Sequence, residues 1–137
     1  MYIDWTPDYA IGVARIDEQH QQLIAMINAL YEKIGPDVSS SATWALLDGF
    51  NRYAESHFAT EERIALDAGV PMAELNAHKQ EHQAYRDRMR IFQHAFAQNE
   101  KRAPVQLMAF LSSWWLSHIL VRDKELGQLI NERQAHG

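Results

Sequence analysis

Residues 75–96 read LNAHKQEHQAYRDRMRIFQHAF, and the spacing of their bulky side chains decides the fold. Leu75, His78, His82, Tyr85, Met89, Phe92 and Phe96 recur at alternating steps of three and four. That period marks the inward seam of a helix in a bundle. Two of the seam positions are histidines, so the pattern that calls for a helix also places imidazoles in its core.

Three further stretches carry a helical period. Ile16, His20, Leu23, Ile24, Ile27, Leu30, Tyr31 and Ile34 form one stripe, with Asp17 read as its N-cap and Gly35-Pro36 as its end. Leu46, Leu47, Phe50, Tyr53, Ala54, His57, Glu61 and Ile64 form a second, capped by Ser39, Ser40 or Ser41 and broken by Gly69-Val70-Pro71. After the polar turn Asn99 to Arg102, Pro104 suits the first turn of a fourth helix. Its inner face is Leu107, Phe110, Leu111, Trp114, His118 and Val121, and Gly127 loosens or ends it before a short amphipathic tail. Residues 1–15 hold Trp5, Pro7 and Gly12 without sustained period and read as an ordered arm. The expected fold is all-α. Residues 1–137 make a single domain, an antiparallel up-down-up-down four-helix bundle with an N-terminal arm and a short C-terminal helical tail.

Composition narrows the chemistry. A net charge of −5 with 13 scattered Lys and Arg argues against a nucleic-acid or anionic-membrane surface. The absence of cysteine excludes disulfides, zinc–thiolate sites and iron–sulfur clusters, so any metal is held by nitrogen and oxygen. The most apolar stretch, Leu107 to Val121, is too short and too polar for a membrane span, and MYIDWTPDYA has neither a basic nor an apolar leader pattern. A cytoplasmic protein is the expectation.

Five of the seven histidines, His20, His57, His78, His82 and His118, fall on inward stripes, spread over all four helices. A lone inward histidine is more often a core residue bonded to a backbone carbonyl than a ligand. Five of them facing one another find too few partners in a small core. Glu61 is the stronger witness, because an ionised carboxylate in a bundle core costs several kcal/mol unless paired or metal-bound. No Lys or Arg lies on the inner stripes to pair with it. Residues four apart share a helix face, so His57/Glu61 and His78/His82 can each aim at one metal or at two adjacent ones. Asp123 follows His118 by five, a step of about 140° on an ideal helix, and joins only if the helix ends, tightens or bulges there. Seven such ligands exceed one ion and suit two, drawn from iron, manganese, zinc or copper. His94, two residues from both Phe92 and Phe96, faces away from the seam, and His136 lies in the tail.

These residues resemble the hemerythrin family, in particular its single-domain bacterial members. The resemblance spans nearly the whole chain. It rests on Ile16-Asp17-Glu18-Gln19-His20, His57-Phe58-Ala59-Thr60-Glu61-Glu62, His78-Lys79-Gln80-Glu81-His82, and Trp114-Trp115-Leu116-Ser117-His118-Ile119 followed by Asp123. Myohemerythrin is itself a standard example of the bundle topology inferred above. The resemblance implies two iron ions in an oxo- or hydroxo-bridged di-iron centre. His78, His82 and His118 would bind one iron, His20 and His57 the other, and Glu61 and Asp123 would bridge them. Leu23, Phe58, Trp114, Trp115 and Ile119 would line an oxygen pocket over the open iron.

The function so implied is reversible binding of dioxygen for storage, transport or delivery, with small anions such as azide binding the ferric form. The implied protein is a monomer, not an enzyme, that passes oxygen to a protein recipient. A redox or oxygen sensor acting through a partner, and a di-iron oxidase, peroxidase or nitric oxide reductase, are the competing functions. Two positions depart from the family pattern. Trp115 stands three before His118, where the family has an aliphatic residue, and Val70 replaces the usual aromatic between Gly69 and Pro71.

Overall fold

The structure is a computed structural model that describes residues 3–34, 41–98 and 100–136, with the side chains of residues 34, 41, 42, 135 and 136 outside the description. The Gly35-Pro36 stop, the serine caps, Asn99 in the third turn and the side chains of Ile34 and His136 lie outside the described residues. The helices are α1 (Ala14–Ile34), α2 (Ser41–Asp67), α3 (Met72–Ala97), α4 (Ala103–Ser117) and α5 (Lys124–His136), with a π-helical turn, His118–Asp123, joining α4 to α5. That junction makes α4, the π turn and α5 one continuous helix, so the bundle has four members. α1 and α3 each pack against both α2 and the fourth helix, and short links between consecutive members make neighbours antiparallel. The fourth member, Ala103–Gln134, is long and apolar enough to cross a membrane by length and composition, a length that the stretch Leu107 to Val121 alone does not reach. In the bundle its apolar side instead packs on the other helices, through Leu107, Leu111, Trp115 and Ile119.

Several sequence expectations are corrected. Asp17 does not cap α1, which begins at Ala14. It sits in the first turn and accepts from the backbone N–H of Ile11 (2.7 Å) and Gly12 (3.3 Å), tying the arm to the helix. Gly12 makes that turn with φ of +85°, a conformation glycine adopts without a Cβ clash. Gly127 does not end the helix but lies within α5, where a Cβ would meet the Ile11 carbonyl oxygen at 2.3 Å. Glycine is there because the arm passes over it. Tyr31, placed on the inner stripe, is half exposed, whereas Ala65 is buried where α2 was read through Ile64. At the other end of the arm, Ile3 exchanges two 2.8 Å hydrogen bonds with the buried Asn28 side chain.

Among the described residues the core falls into two apolar clusters. One contains Leu23, Ile27, Phe50, Phe58, Tyr85, Leu107 and Trp115, and the other Ile11, Ile16, Ala65, Val70, Leu75, Leu126 and Ile130. The residues His20, His57, Glu61, His78, His82, His118 and Asp123 are all buried as well, and along each helix they fall between positions that feed the two clusters.

Candidate metal centre

Every helix brings a nitrogen or oxygen donor to this polar layer. α1 places His20, α2 places His57 and Glu61, and α3 places His78 and His82. The π turn places both His118 and Asp123. In an i to i+5 turn the backbone carries one more residue per turn, so a step of five returns to the same face. This is the bulge that Asp123 required. Asp123 is fully buried, while Val121, expected on the inner face, is swung out to 53% exposure. The helix regains its register beyond the turn, where Leu126 and Ile130 are buried again.

The donors form two groups, Glu61/His78/His82/His118 and His20/His57/Glu61/Asp123, each with its ligand atoms within 4.8 Å of one another. Glu61 reaches into both. Its Oε1 is 2.7 Å from His78 Nε2 and 3.6 Å from His118 Nε2, while its Oε2 is 2.8 Å from His57 Nε2. Asp123 does the same, with Oδ1 at 2.9 Å from His78 Nε2 and 3.1 Å from His118 Nε2, and Oδ2 at 2.9 Å from His20 Nε2. Each carboxylate thus offers one oxygen to either side, which is what a bridging group must do.

Many of these short contacts are not directed hydrogen bonds. Both Glu61 oxygens, Asp123 Oδ2, His82 Nε2 and His118 Nε2 are buried with no partner in hydrogen-bonding geometry. Lone pairs crowded together but not aimed at protons are a donor set suited to a cation. The charge balance points the same way. Two fully buried carboxylates need positive charge, and without a metal only protonated imidazoles supply it. Burial works to lower the pKa of His78, but its hydrogen bonds to Asp123 and Glu61 and their charges prevail and push it up to about 9. Burial opposes protonation of His118 too, but the Asp123 charge together with hydrogen bonds to Asp123, Glu61 and Glu81 outweighs it and holds that imidazole well above its ordinary value. His82 goes the other way. Burial, reinforced by the like charges of His118 and His78, pushes it down to about 3 despite the pull of Glu61, leaving a neutral nitrogen donor. A metal binding here displaces the protons from His78 and His118.

The outer ring nitrogens are held by residues that sequence reasoning missed. His82 Nδ1 donates to Glu62 Oε2 (2.7 Å), His118 Nδ1 to Glu81 Oε1 (2.6 Å) and His57 Nδ1 to Gln19 Oε1 (2.8 Å). Arg122 Nε in turn donates to Glu81 Oε2 (2.9 Å). An acceptor behind Nδ1 fixes the proton there and leaves the Nε2 lone pair facing the layer. A sequence signal existed. Gln19, Glu62 and Glu81 each stand next to one of the seven site residues, one step off the inner stripe.

The residues expected to line a ligand pocket belong to the aromatic cluster. Leu23, Phe58, Trp115 and Ile119 are fully buried, and Trp114 is partly so. Phe58 stacks on His82 at 3.9 Å between centroids, and Trp114 on His118 at 4.6 Å. The Trp115 ring turns inward, parallel to Phe58 (5.4 Å, 9°), and lies 5.8 Å from His57 and 6.1 Å from His118. His94 is exposed, away from all of this.

Comparison with known proteins agrees with this geometry. The family model described as the hemerythrin HHE cation binding domain matches residues 11–130. A bacteriohemerythrin from Stenotrophomonas maltophilia is 30% identical over 141 residues, covering 97% of this chain and 90% of the relative. One from Pseudomonas aeruginosa is 30% identical over 119 residues, 86% of this chain and 74% of the relative. A third, from Clostridium acetobutylicum, is 26% identical and covers 88% and 95% respectively. With a cation-binding family model over most of its length and a buried layer of imidazoles and shared carboxylates across its four helices, the chain belongs to the hemerythrin family.

Proposed function

We propose that the protein binds dioxygen reversibly, for storage, transport or delivery, at a non-haem di-iron centre. One observation carries this reading. Two buried donor groups share Glu61 and have Asp123 reaching across both, an arrangement for two adjacent ions rather than one. In it, His78, His82 and His118 would hold the first iron, His20 and His57 the second, and Glu61 and Asp123 would be shared between them. The two sides have unequal donor counts, three imidazoles against two, so the His20/His57 side would be the one left to accept a ligand. Iron held there would supply the electrons that reversible dioxygen binding borrows and returns.

The chain's own residues do the rest. The Glu62, Glu81 and Gln19 acceptors hold three imidazoles in the tautomer that presents Nε2 inward. Leu23, Phe58, Ile119 and the ring face of Trp115 wall the pocket with buried, largely apolar surface that keeps out bulk water and stray protons. The donor set is rich in nitrogen, with two carboxylates only, and does little to stabilise high-valent iron. Binding, not turnover, is therefore the activity. Elemental analysis together with optical spectra under alternating argon and air tests this: two irons per chain and a spectrum that cycles with oxygen are expected. One metal per chain, or steady oxygen consumption with added reductant, overturns it.

A further inference from the structure

The aromatic cluster contains two polar atoms that the metal layer does not use. Tyr85 and Trp115 are 3% and 0% exposed, and neither the phenol oxygen nor the indole Nε1 has a partner in hydrogen-bonding geometry. Their rings sit edge to face at 5.3 Å. Burial raises the Tyr85 pKa, and the indole N–H facing the phenol oxygen opposes that rise. Even a completed bond between them would leave the Tyr85 O–H proton without an acceptor, since the surrounding rings of Phe58, Phe110 and Trp114 offer none. A buried donor left unpaired forfeits the hydrogen bond it made to water in the unfolded chain. The phenol proton, with the indole N–H beside it, calls for an acceptor that both can reach.

We propose that Tyr85 and Trp115 form a polar subsite beside the metal layer, in which the phenol O–H and the indole N–H hold one small hydrogen-bond acceptor: an anion such as azide, or water in its absence. The subsite rests on the pocket assignment above. Its position follows from Trp115, whose ring lies about 6 Å from imidazoles of both donor groups, so an anion of two or three atoms in the pocket can meet it. Its route to solvent follows from Tyr85, which also lines a cavity of about 200 Å³ between α2 and α3. Arg86 and Arg90 stand at that cavity, and Arg86 is tethered to Glu55 at 2.8 Å. Cationic residues there favour entry of an anion.

Tyr85→Phe tests the subsite, because it removes the hydroxyl and keeps the ring. In the iron-loaded ferric protein the variant is expected to bind azide about 2- to 10-fold more weakly, the worth of one hydrogen bond, with iron content unchanged. Unchanged azide affinity overturns the proposal. Melting of the metal-free proteins gives a second readout independent of iron. A phenol stranded in dry packing is a liability, so its removal would raise the melting temperature, and such a rise overturns the proposal; a variant that melts at or below the parent supports it. If the chain takes up no iron at all, the oxygen-binding reading fails by itself, and the metal-free comparison still decides the subsite.

Discussion

The two apolar clusters differ in what they are made of and in how their polar groups are satisfied. The cluster of Ile11, Ile16, Ala65, Val70, Leu75, Leu126 and Ile130 is wholly aliphatic, and the N-terminal arm seals it. Its turn is tied down, with Asp17 accepting from Ile11 and Gly12 and Asn131 Nδ2 donating to the Gly12 carbonyl oxygen. The other cluster adds rings to an aliphatic base, among them Phe50, Phe58, Tyr85, Phe110 and Trp115, and among the described residues it keeps the Tyr85 hydroxyl and the Trp115 indole nitrogen buried and unpartnered. Aliphatic side chains close-pack without directional demands, whereas flat rings leave edges and polar handles. On the proposed function, the aliphatic end would serve stability and the ring-bearing end ligand access.

The largest effect is expected in the layer between them. His78→Ala removes the nitrogen that touches both Glu61 and Asp123 and should abolish most metal loading. His94→Ala, on the exposed face of the same helix, should leave iron content unchanged; equal losses in both would mean that the layer is not the metal site. Next comes Ile130→Ala in the aliphatic cluster, where truncating a fully buried side chain should cost about 2–5 kcal/mol in denaturant unfolding. Its azide-binding rate should match the parent's, and a changed rate would break the division between the two ends.

Trp115→Leu should do the converse. Replacing the indole with the smaller side chain opens the aromatic end, so azide should bind the ferric form several-fold faster and the oxygenated form should autoxidise faster, with iron content retained. Parental rates in stopped-flow mixing would show that Trp115 is packing and not a gate. The smallest effect is a pH dependence confined to the metal-free protein. A histidine whose pKa is raised by folding lends stability that is full below its ordinary 6.5 and is lost as pH rises through the folded value, about 9 for His78. Metal-free protein should therefore melt at falling temperature as pH climbs from about 6.5 to about 9, with no further loss from this group above that. Iron-loaded protein should lack this limb, because the metal has replaced the proton, and identical alkaline profiles would count against the charge balance drawn here.

Much of this was legible in the chain because it depends on short spacings. The three-four rhythm from Leu75 to Phe96 defines α3 and puts His78 and His82 inside, and the same rhythm buries His20, His57, Glu61 and His118. Asp123 shows the limit. Its distance from His118 is wrong for an α-helix, and nothing in HILVRD announces a π turn. The turn persists because contacts with His20, His78 and His118 reward the extra residue while Leu126 and Ile130 stay in register with the aliphatic end.

The sequence by itself determined the helices, their inward faces and the identity of the donors, since periodicity and side-chain chemistry are properties of neighbours a few residues apart. Only the tertiary structure decided which oxygen of Glu61 and Asp123 meets which imidazole, that Glu81 backs His118 from 37 residues away, and that Gly127 makes room for Ile11. It alone turned Trp115 inward and left its indole N–H, beside the Tyr85 hydroxyl, without a partner. These outcomes depend on surfaces meeting across the bundle, where burial makes each unpaired polar atom costly and steric fit selects the few arrangements that pack.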